Sequence, residues 1–207
     1  MRIEGIDFSS AYIGYAKLRN QSSNVTFRVG DICALPFADG SFDRVLSLLV
    51  LHFVPDTHRA VSELRRVARQ GATVAAAVWD ARGGVVAHRM FFDTAATIDE
   101  KGNEHRALNC TRIMTRPGEL SAAWRGAGFV DIRETMLTIR MDFSSFDDYW
   151  APYVGKEGPR AEFVGTLSSS QRERLRDLVR KAYVDGDPHG PRSYAATAWA
   201  VAGIVPA

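Results

Sequence analysis

The chain has 207 residues, of which 46% are hydrophobic and 24% are charged, an ordinary composition for a globular domain. Its 26 basic and 24 acidic residues leave a net charge of +2, which gives no reason to expect nucleic acid or an anionic membrane as a partner. No apolar run approaches the roughly 18 residues of a membrane span, and no signal peptide is recognisable. We therefore expect a cytoplasmic protein whose two cysteines are reduced thiols.

The first part of the chain alternates segments typical of strands and helices. The run Val45–Leu51 is apolar at nearly every position, which favours a central strand buried on both faces. Because strands alternate with helices, we expect an open parallel sheet with right-handed crossovers. The predicted order is a strand at 2–7, a helix at 11–20, a strand at 24–30, a strand at 42–53, a helix at 57–69 and a strand at 73–79.

The pattern is less regular after residue 80. A proline in the first turn and a glycine just past the end predict a helix at 117–126, and strong alternation predicts a long strand at 129–141. The other predicted elements are a helix at 89–98, a charged amphipathic helix at 169–184 and a last apolar strand at 194–201. We expect a single domain whose core comprises residues 1–80, 117–141 and 193–203, with a small helical and aromatic lid formed by residues 81–116 and 142–192.

Three predicted strand ends concentrate residues suited to ligand binding, because ligands of open α/β sheets lie at the carboxyl ends of the strands. After the first strand, Asp7 offers a carboxylate that can accept two ribose hydroxyls, or it can simply interact with a helix N-terminus. After the second strand, Asp31 can accept from an adenine amine while Ile32 covers the base, or it can be a plain turn residue. At the third strand end, His52 is either a catalytic group or a structural histidine.

In this order and at these spacings, the segments resemble the class I S-adenosylmethionine (SAM)-dependent methyltransferases, and more narrowly the small-molecule methyltransferases of type 11. The resemblance implies a Rossmann-like α/β sheet with helices on both faces, SAM as the cofactor and a small molecule as the methyl acceptor. It depends on Gly5–Ser9, Gly30-Asp31, Leu35–Val45 and Leu51–Asp56, and it continues through Val78–Asp80, Arg116–Leu120 and Gly126–Phe129.

The resemblance also implies roles for individual residues. Asp7 would bind the ribose hydroxyls, Asp31 would face the adenine amine, and His52 would lie near the methyl-transfer site as a catalytic or acceptor-binding group. Ser47 and Leu48 would lie beside the methionyl group. The full cofactor-binding set is Asp7, Phe8, Gly30, Asp31, Ile32, Ser47 and Leu48.

Aromatic residues are frequent in the predicted lid. We expect Trp79, Trp150 and Tyr153 to form walls of the acceptor site, since concave small-molecule sites are mostly apolar. The alternative is that these aromatics pack the insertion onto the sheet. We expect no metal site, because His88 and His105 have no partner at ligand spacing.

The chain departs from the family at its start. The family opens with a strand and a glycine-rich loop before the strand that ends at Asp7, and this strand would lie centrally, between those ending at Asp7 and near Leu51. Its absence would leave two strand edges unpaired. We consider a fragment or mis-assigned start, a sheet closed differently, and an assembly such as a homodimer that supplies the strand from another chain.

These observations leave rival functions. Methyl transfer from SAM to a small molecule is the first. A non-catalytic methyltransferase-like protein that acts through protein contacts is the second, because the glycine-rich loop is missing. A dinucleotide-binding oxidoreductase fragment is disfavoured, because Asp31-Ile32 and the Leu35-Pro-Phe37 run follow the methyltransferase pattern.

Overall fold

The computed structural model describes residues 1–155 and 159–207. Strands and helices alternate through the first 79 residues, as the sequence predicts, and the whole is a mixed α/β fold. The strands are β1 (Ile3–Asp7), β2 (Val25–Val29), β3 (Phe42–Leu48), β4 (Ala68–Trp79), β5 (Val130–Phe143) and β6 (Arg192–Ile204). The helices are α1 (Ser10–Arg19), α2 (Thr57–Val67), α3 (Val86–Ala95), α4 (Glu100–Cys110), α5 (Glu119–Gly126), α6 (Phe146–Trp150), α7 (Pro159–Thr166) and α8 (Ser169–Val184).

The strands form two hydrogen-bonded groups. β1 pairs with β2 in parallel, with Asp7 opposite Val29. The other four strands form a sheet in the order β3-β4-β6-β5, in which β3 and β4 are parallel. β6 runs antiparallel to β4, since Val205 exchanges hydrogen bonds with Gly71 and Ala72 while Asp80 bonds Thr197. Among the described residues, the end strands of the two groups, β1, β2, β3 and β5, therefore each have one edge without a strand partner.

Local sequence signals explain the first two helices. The Ser9 side chain accepts from the backbone N–H of Tyr12 and caps α1, and the Asp56 carboxylate accepts from Arg59 and caps α2. The buried face of α2 follows the helical period. Its buried residues are Thr57, Ala60, Val61, Leu64 and Val67.

The boundary between α2 and β4 differs from the prediction. The helix ends at Val67 rather than residue 69, and β4 begins at Ala68 rather than residue 73. Gly71 continues the strand with a φ of 74°, and its N–H donates to the carbonyl of Val205 at 2.9 Å. Pairing with the end of β6 therefore extends β4 through Gly71, although a glycine at this position predicts a break between α2 and the strand.

The chain divides into two compact units. Unit 1 comprises Met1–Val78, Pro117–Thr135 and Ala200–Ala207, and unit 2 comprises Trp79–Arg116 and Met136–Trp199. The core of unit 1 includes Trp124, which is fully buried and whose indole N–H donates to the carbonyl of Val74 at 3.1 Å. Whether the two units behave as the single domain expected from the sequence stays a prediction.

Unit 2 has a core rich in aromatic residues, drawn from α3 and from the segments that follow β5. α3 begins and ends three residues before the predicted helix, and α4 was not predicted, because its sequence lacks an apolar period. The Asp99 carboxylate caps α4 by accepting from the backbone N–H of Gly102. Gly102 also lies close to α3, because a Cβ at this position would come within 1.9 Å of the Ala95 carbonyl oxygen. Within the described residues, no helix is long and apolar enough to cross a membrane.

Candidate functional site

The carboxyl ends of β1 and β2 bring the first two predicted site segments together. The N–H of Gly30 donates to the carbonyl of Asp7 at 3.0 Å, so the two residues are neighbours. Oδ1 of Asp7 accepts from the Ser9 N–H at 2.8 Å, and Oδ2 accepts no hydrogen bond from the described residues. Asp7 therefore orders the start of α1 with one carboxylate oxygen and leaves the other available to a ligand. Phe8, which follows it, is 84% exposed.

The loop after β2 is held in place by α2. Oδ1 of Asp31 accepts from the N–H of Cys33 at 2.8 Å, which makes the turn that the sequence allowed, and Asp31 is exposed while Ile32 is half-buried. Arg59 of α2 donates from Nε to the Cys33 carbonyl at 2.8 Å. Further along, the Glu63 carboxylate accepts from the N–H of Leu35 at 2.8 Å. Exposed and half-buried polar contacts with α2 thus help to position this loop.

Glu63 and Arg66 form the main clamp on this loop. Arg66 donates to the Glu63 carboxylate, to the Asp39 carboxylate and to the carbonyls of Leu35 and Phe37. The hydrogen bonds from Arg66, and then the bond from the Leu35 backbone, lower the pKa of Glu63 against the opposing effect of burial. The hydrogen bonds to the Glu63 carboxylate, and then to the Asp39 carboxylate, raise the pKa of Arg66. Sequence reasoning missed both residues, because α2 looked like an ordinary amphipathic helix.

The carboxyl end of β3 carries the third segment. Ser47 is 7% exposed, and its buried Oγ has no hydrogen-bond partner among the described residues, whereas Leu48 is 72% exposed. Leu49 then adopts a left-handed backbone with a φ of 60°, which is costly for a leucine and which the sequence does not signal. His52 follows in a short 3-10 helix, Leu51–Phe53, where it is 4% exposed and its ring centroid lies 4.0 Å from that of Phe53.

The three segments are therefore not joined by one hydrogen-bonded sheet. Asp7, Gly30 and Asp31 lie at the end of the β1-β2 pair, while Ser47 and His52 lie at the end of β3. A cavity of about 250 Å³ opens beside Asp7 and is also lined by Tyr12 and Phe27. Small-molecule pockets usually enclose about 300–1,000 Å³, so this cavity suits part of a ligand rather than the whole of one.

Several apolar side chains of β3 and α1 are exposed. On β3, Leu46 and Leu48 are more than 70% exposed, and on α1, Tyr12, Tyr15 and Leu18 are more than half exposed. Apolar surface next to an open strand edge favours association or ligand contact.

The predicted acceptor walls lie in unit 2. Trp150 and Tyr153 are 5% and 2% exposed, and Tyr153 stacks on Phe91 with ring centroids 4.1 Å apart. The Tyr149 hydroxyl donates to the carbonyl of Ala87 at 2.8 Å, and burial raises the pKa of both tyrosines. In this conformation these rings form a packed core, and Trp79, at the end of β4, is half-buried. Among the described residues, no group of three or more histidine, cysteine or acidic side chains could hold a metal.

Comparison with known proteins agrees with this geometry. Residues 1–76 match the profile of a family described as a methyltransferase domain. The chain is 33% identical over 139 residues to demethylmenaquinone methyltransferase of Roseiflexus sp. (strain RS-1), a match that covers 62% of this chain and 58% of that protein. It is 35% identical over 78 residues to ajmaline N-methyltransferase of Rauvolfia serpentina, covering 36% of this chain and 27% of that protein. The chain thus spans less than two thirds of the length of either relative.

Solved structures share the fold. A putative methyltransferase from Bacillus halodurans superimposes with a TM-score of 0.59 at 15% identity, covering 100% of this chain and 84% of that one. Phosphoethanolamine N-methyltransferase 2 of Haemonchus contortus, solved in complex with S-adenosyl-L-methionine, gives 0.57 at 17% identity, covering 100% of this chain and 44% of that one. The fold is that of Rossmann-like methyltransferases. The match to a methyltransferase domain covers residues 1–76 of the 207, and the similarity of fold extends over the whole chain.

Proposed function

We propose that this protein transfers a methyl group from SAM to a small-molecule acceptor. The observation that carries the proposal is the hydrogen bond from Gly30 to the Asp7 carbonyl, which sets the Asp7 carboxylate and the Asp31 turn side by side at the carboxyl ends of two parallel strands. The two relatives described above are named for small-molecule substrates, ajmaline and demethylmenaquinone, which supports the same class of acceptor.

The residues present suit the cofactor at two points. Oδ2 of Asp7 would accept the ribose hydroxyls, with Asp31 and Ile32 at the adenine and with Phe8 and Gly30 completing the adenosine side. Ser47 would satisfy its buried hydroxyl on the methionyl group, beside Leu48, since an unpartnered buried hydroxyl is costly without a ligand.

In the proposed reaction, SAM supplies a methyl group on a positively charged sulfur, which is already activated. The protein then contributes mainly orientation, by holding the acceptor nucleophile in line with that methyl group. We assign His52 to accept the proton that the nucleophile loses. Trp79, Trp150 and Tyr153 are proposed to bound the acceptor, and for the two buried rings this requires the core of unit 2 to open locally.

Equilibrium dialysis with labelled SAM tests the proposal directly. Asp7→Asn should weaken SAM binding by about tenfold or more, because a charged acceptor of two hydroxyls is lost. Asp43→Asn is the matched control: Asp43 is an exposed acid at the other end of β3, in an exposed ion pair with Arg69. Equal SAM affinity in wild type and Asp7→Asn would contradict the assignment.

A second candidate is a non-catalytic methyltransferase-like protein that acts through protein contacts. It is favoured by the unpaired edges of β1 and β3 and by the exposed Leu46 and Leu48 beside them, which could receive a strand from a second copy in a homodimer. SAM binding by the 207-residue chain would exclude this candidate. Binding only by a chain extended upstream in the same reading frame would indicate that a further segment completes the site. In either case we propose a cytoplasmic protein without nucleic-acid or membrane partners.

A further inference from the structure

A cleft of about 530 Å³ opens in unit 1 at the amino ends of β3 and β4. Its walls come from the turn that precedes β3, the last turns of α2, the start of β4 and the segment that follows β6. Because β3 and β4 are parallel and Ser47 lies at the far end of β3, this cleft is at the opposite edge of the sheet from the proposed SAM site. Three arginines line it, Arg65, Arg66 and Arg69, and Asp39 is the acidic side chain in its wall.

Two of these arginines are already engaged. Arg66 is held by Glu63, Asp39 and two loop carbonyls, as described above, so its charge and donors serve the fold. Arg69 pairs with Asp43 at 2.8 Å, but both side chains are more than 60% exposed. An exposed pair of this kind is held weakly, so Arg69 can turn towards another anion.

Arg65 is different. Its Nε is buried, has no hydrogen-bond partner among the described residues and makes no ion pair with any of them. The guanidinium lies against Gly128, where a Cβ would come 3.8 Å from Nε and 3.9 Å from a terminal nitrogen. A position in the last turn of α2 accounts for a positive charge there, since cations favour helix C-termini, but it does not account for a buried donor without an acceptor.

We propose that Arg65, with Arg69 and Gln70, binds a small oxyanion, the phosphate or carboxylate group of a small molecule. A guanidinium presents two N–H groups as a fork that matches two oxygens of such a group, and Arg65 is one of the residues that line the cleft. Gln70 lines the same cleft and adds an amide donor. The site does not depend on the proposed SAM site, so an oxyanion bound here leaves SAM binding unchanged.

Calorimetric titration of the 207-residue chain with inorganic phosphate, at constant ionic strength set with chloride, tests this site. We expect saturable binding that Arg65→Gln weakens by about tenfold or more, which is the scale of one lost charged contact. Arg174→Gln removes the same charge from an exposed position on α8 and should leave the affinity unchanged. A parallel titration with acetate identifies the anion: saturation by phosphate alone assigns the site to phosphate groups, and saturation by both includes carboxylates.

The inference is overturned if neither anion saturates, or if Arg65→Gln binds as the wild type does while circular dichroism shows it folded. If Arg65→Gln fails to fold, Arg69→Gln and Gln70→Leu replace it. Each should weaken phosphate binding, whereas Arg174→Gln should not. Unchanged phosphate binding in both Arg69→Gln and Gln70→Leu would overturn the site. A titration of S-adenosylhomocysteine with and without phosphate separates the two sites. If the chain binds S-adenosylhomocysteine but not phosphate, the oxyanion site is rejected and the methyltransferase proposal is unaffected.

Discussion

The backbone N–H of Gly30 donates to the carbonyl of Asp7 at 3.0 Å, and this contact joins the carboxyl ends of β1 and β2. The two acids at these ends have different surroundings. The Asp7 carboxylate accepts from the Ser9 N–H at the start of α1. The Asp31 carboxylate accepts from the Cys33 N–H within a turn, and Arg59 of α2 donates to the Cys33 carbonyl of that turn.

The clamp on the loop after β2 should make stability depend on pH. Because Arg66 and the Leu35 N–H lower the pKa of Glu63 in the folded chain, the unfolded chain binds the proton more tightly. The stabilisation is therefore fully present above the ordinary pKa of a glutamate and is lost as the pH falls through the lowered value. Urea unfolding at a series of acidic pH values should show this loss, and Glu63→Gln should flatten it. An unchanged pH profile in Glu63→Gln would exclude the clamp as its source.

Trp124 should be a major source of stability in unit 1. It is fully buried, and its indole donates to the Val74 carbonyl at 3.1 Å. Trp124→Phe should lower the free energy of unfolding by about 1–3 kcal/mol, because the buried carbonyl loses its donor. Leu108→Ala, at a position 61% exposed on α4, should change it by less than about 0.5 kcal/mol. Similar losses in the two variants would show that the buried hydrogen bond contributes little.

Trp150 should act through the core of unit 2. Trp150→Ala should cost about 3–5 kcal/mol in urea unfolding, because a nearly buried ring is removed from among Phe91, Phe146 and Tyr153. If Trp150 also bounds the acceptor, the variant should bind the acceptor less tightly while its SAM affinity stays the same. Equal losses of affinity for SAM and acceptor would contradict the wall assignment.

The approach of α4 to α3 should depend on the absence of a side chain at one position. Gly102→Ala should destabilise the chain by more than about 1 kcal/mol, since its Cβ would meet the Ala95 carbonyl at 1.9 Å. Gly14→Ala is the matched control, because nothing lies within 4 Å of the added carbon in α1 and alanine favours a helix by about 1 kcal/mol. Thermal unfolding should therefore move in opposite directions for the two variants. A rise in both midpoints would mean that α4 shifts freely.

Much of the secondary structure follows from local patterns of apolar and polar residues in the sequence. α8 begins and ends where its amphipathic period predicts, at residues 169 and 184, and β5 (Val130–Phe143) follows the alternation that predicts a strand at 129–141. α4 was not predictable, since it depends on a cap and on close contact with α3 rather than on its own apolar period.

The site shows the same division between local and long-range information. The acids at the strand ends were found because strand ends are visible in the pattern. The Glu63–Arg66 clamp joins residues to a loop about thirty positions away, and the left-handed Leu49 depends on how the chain leaves β3. The expected walls Trp150 and Tyr153 proved to be buried among other rings, because aromatic content alone does not distinguish a pocket from a core. Their role in binding the acceptor stays a prediction.

The most direct test of the central proposal is a calorimetric titration of the 207-residue chain with S-adenosylhomocysteine and, separately, with NAD. Both ligands carry an adenosine, so the comparison isolates the methionine-derived part that Ser47 and Leu48 are proposed to contact. We expect saturable binding of S-adenosylhomocysteine, weakened in Asp7→Asn, and clearly weaker or no binding of NAD. Equal or tighter binding of NAD, or no binding of S-adenosylhomocysteine by a folded chain, would contradict a SAM site built by these residues.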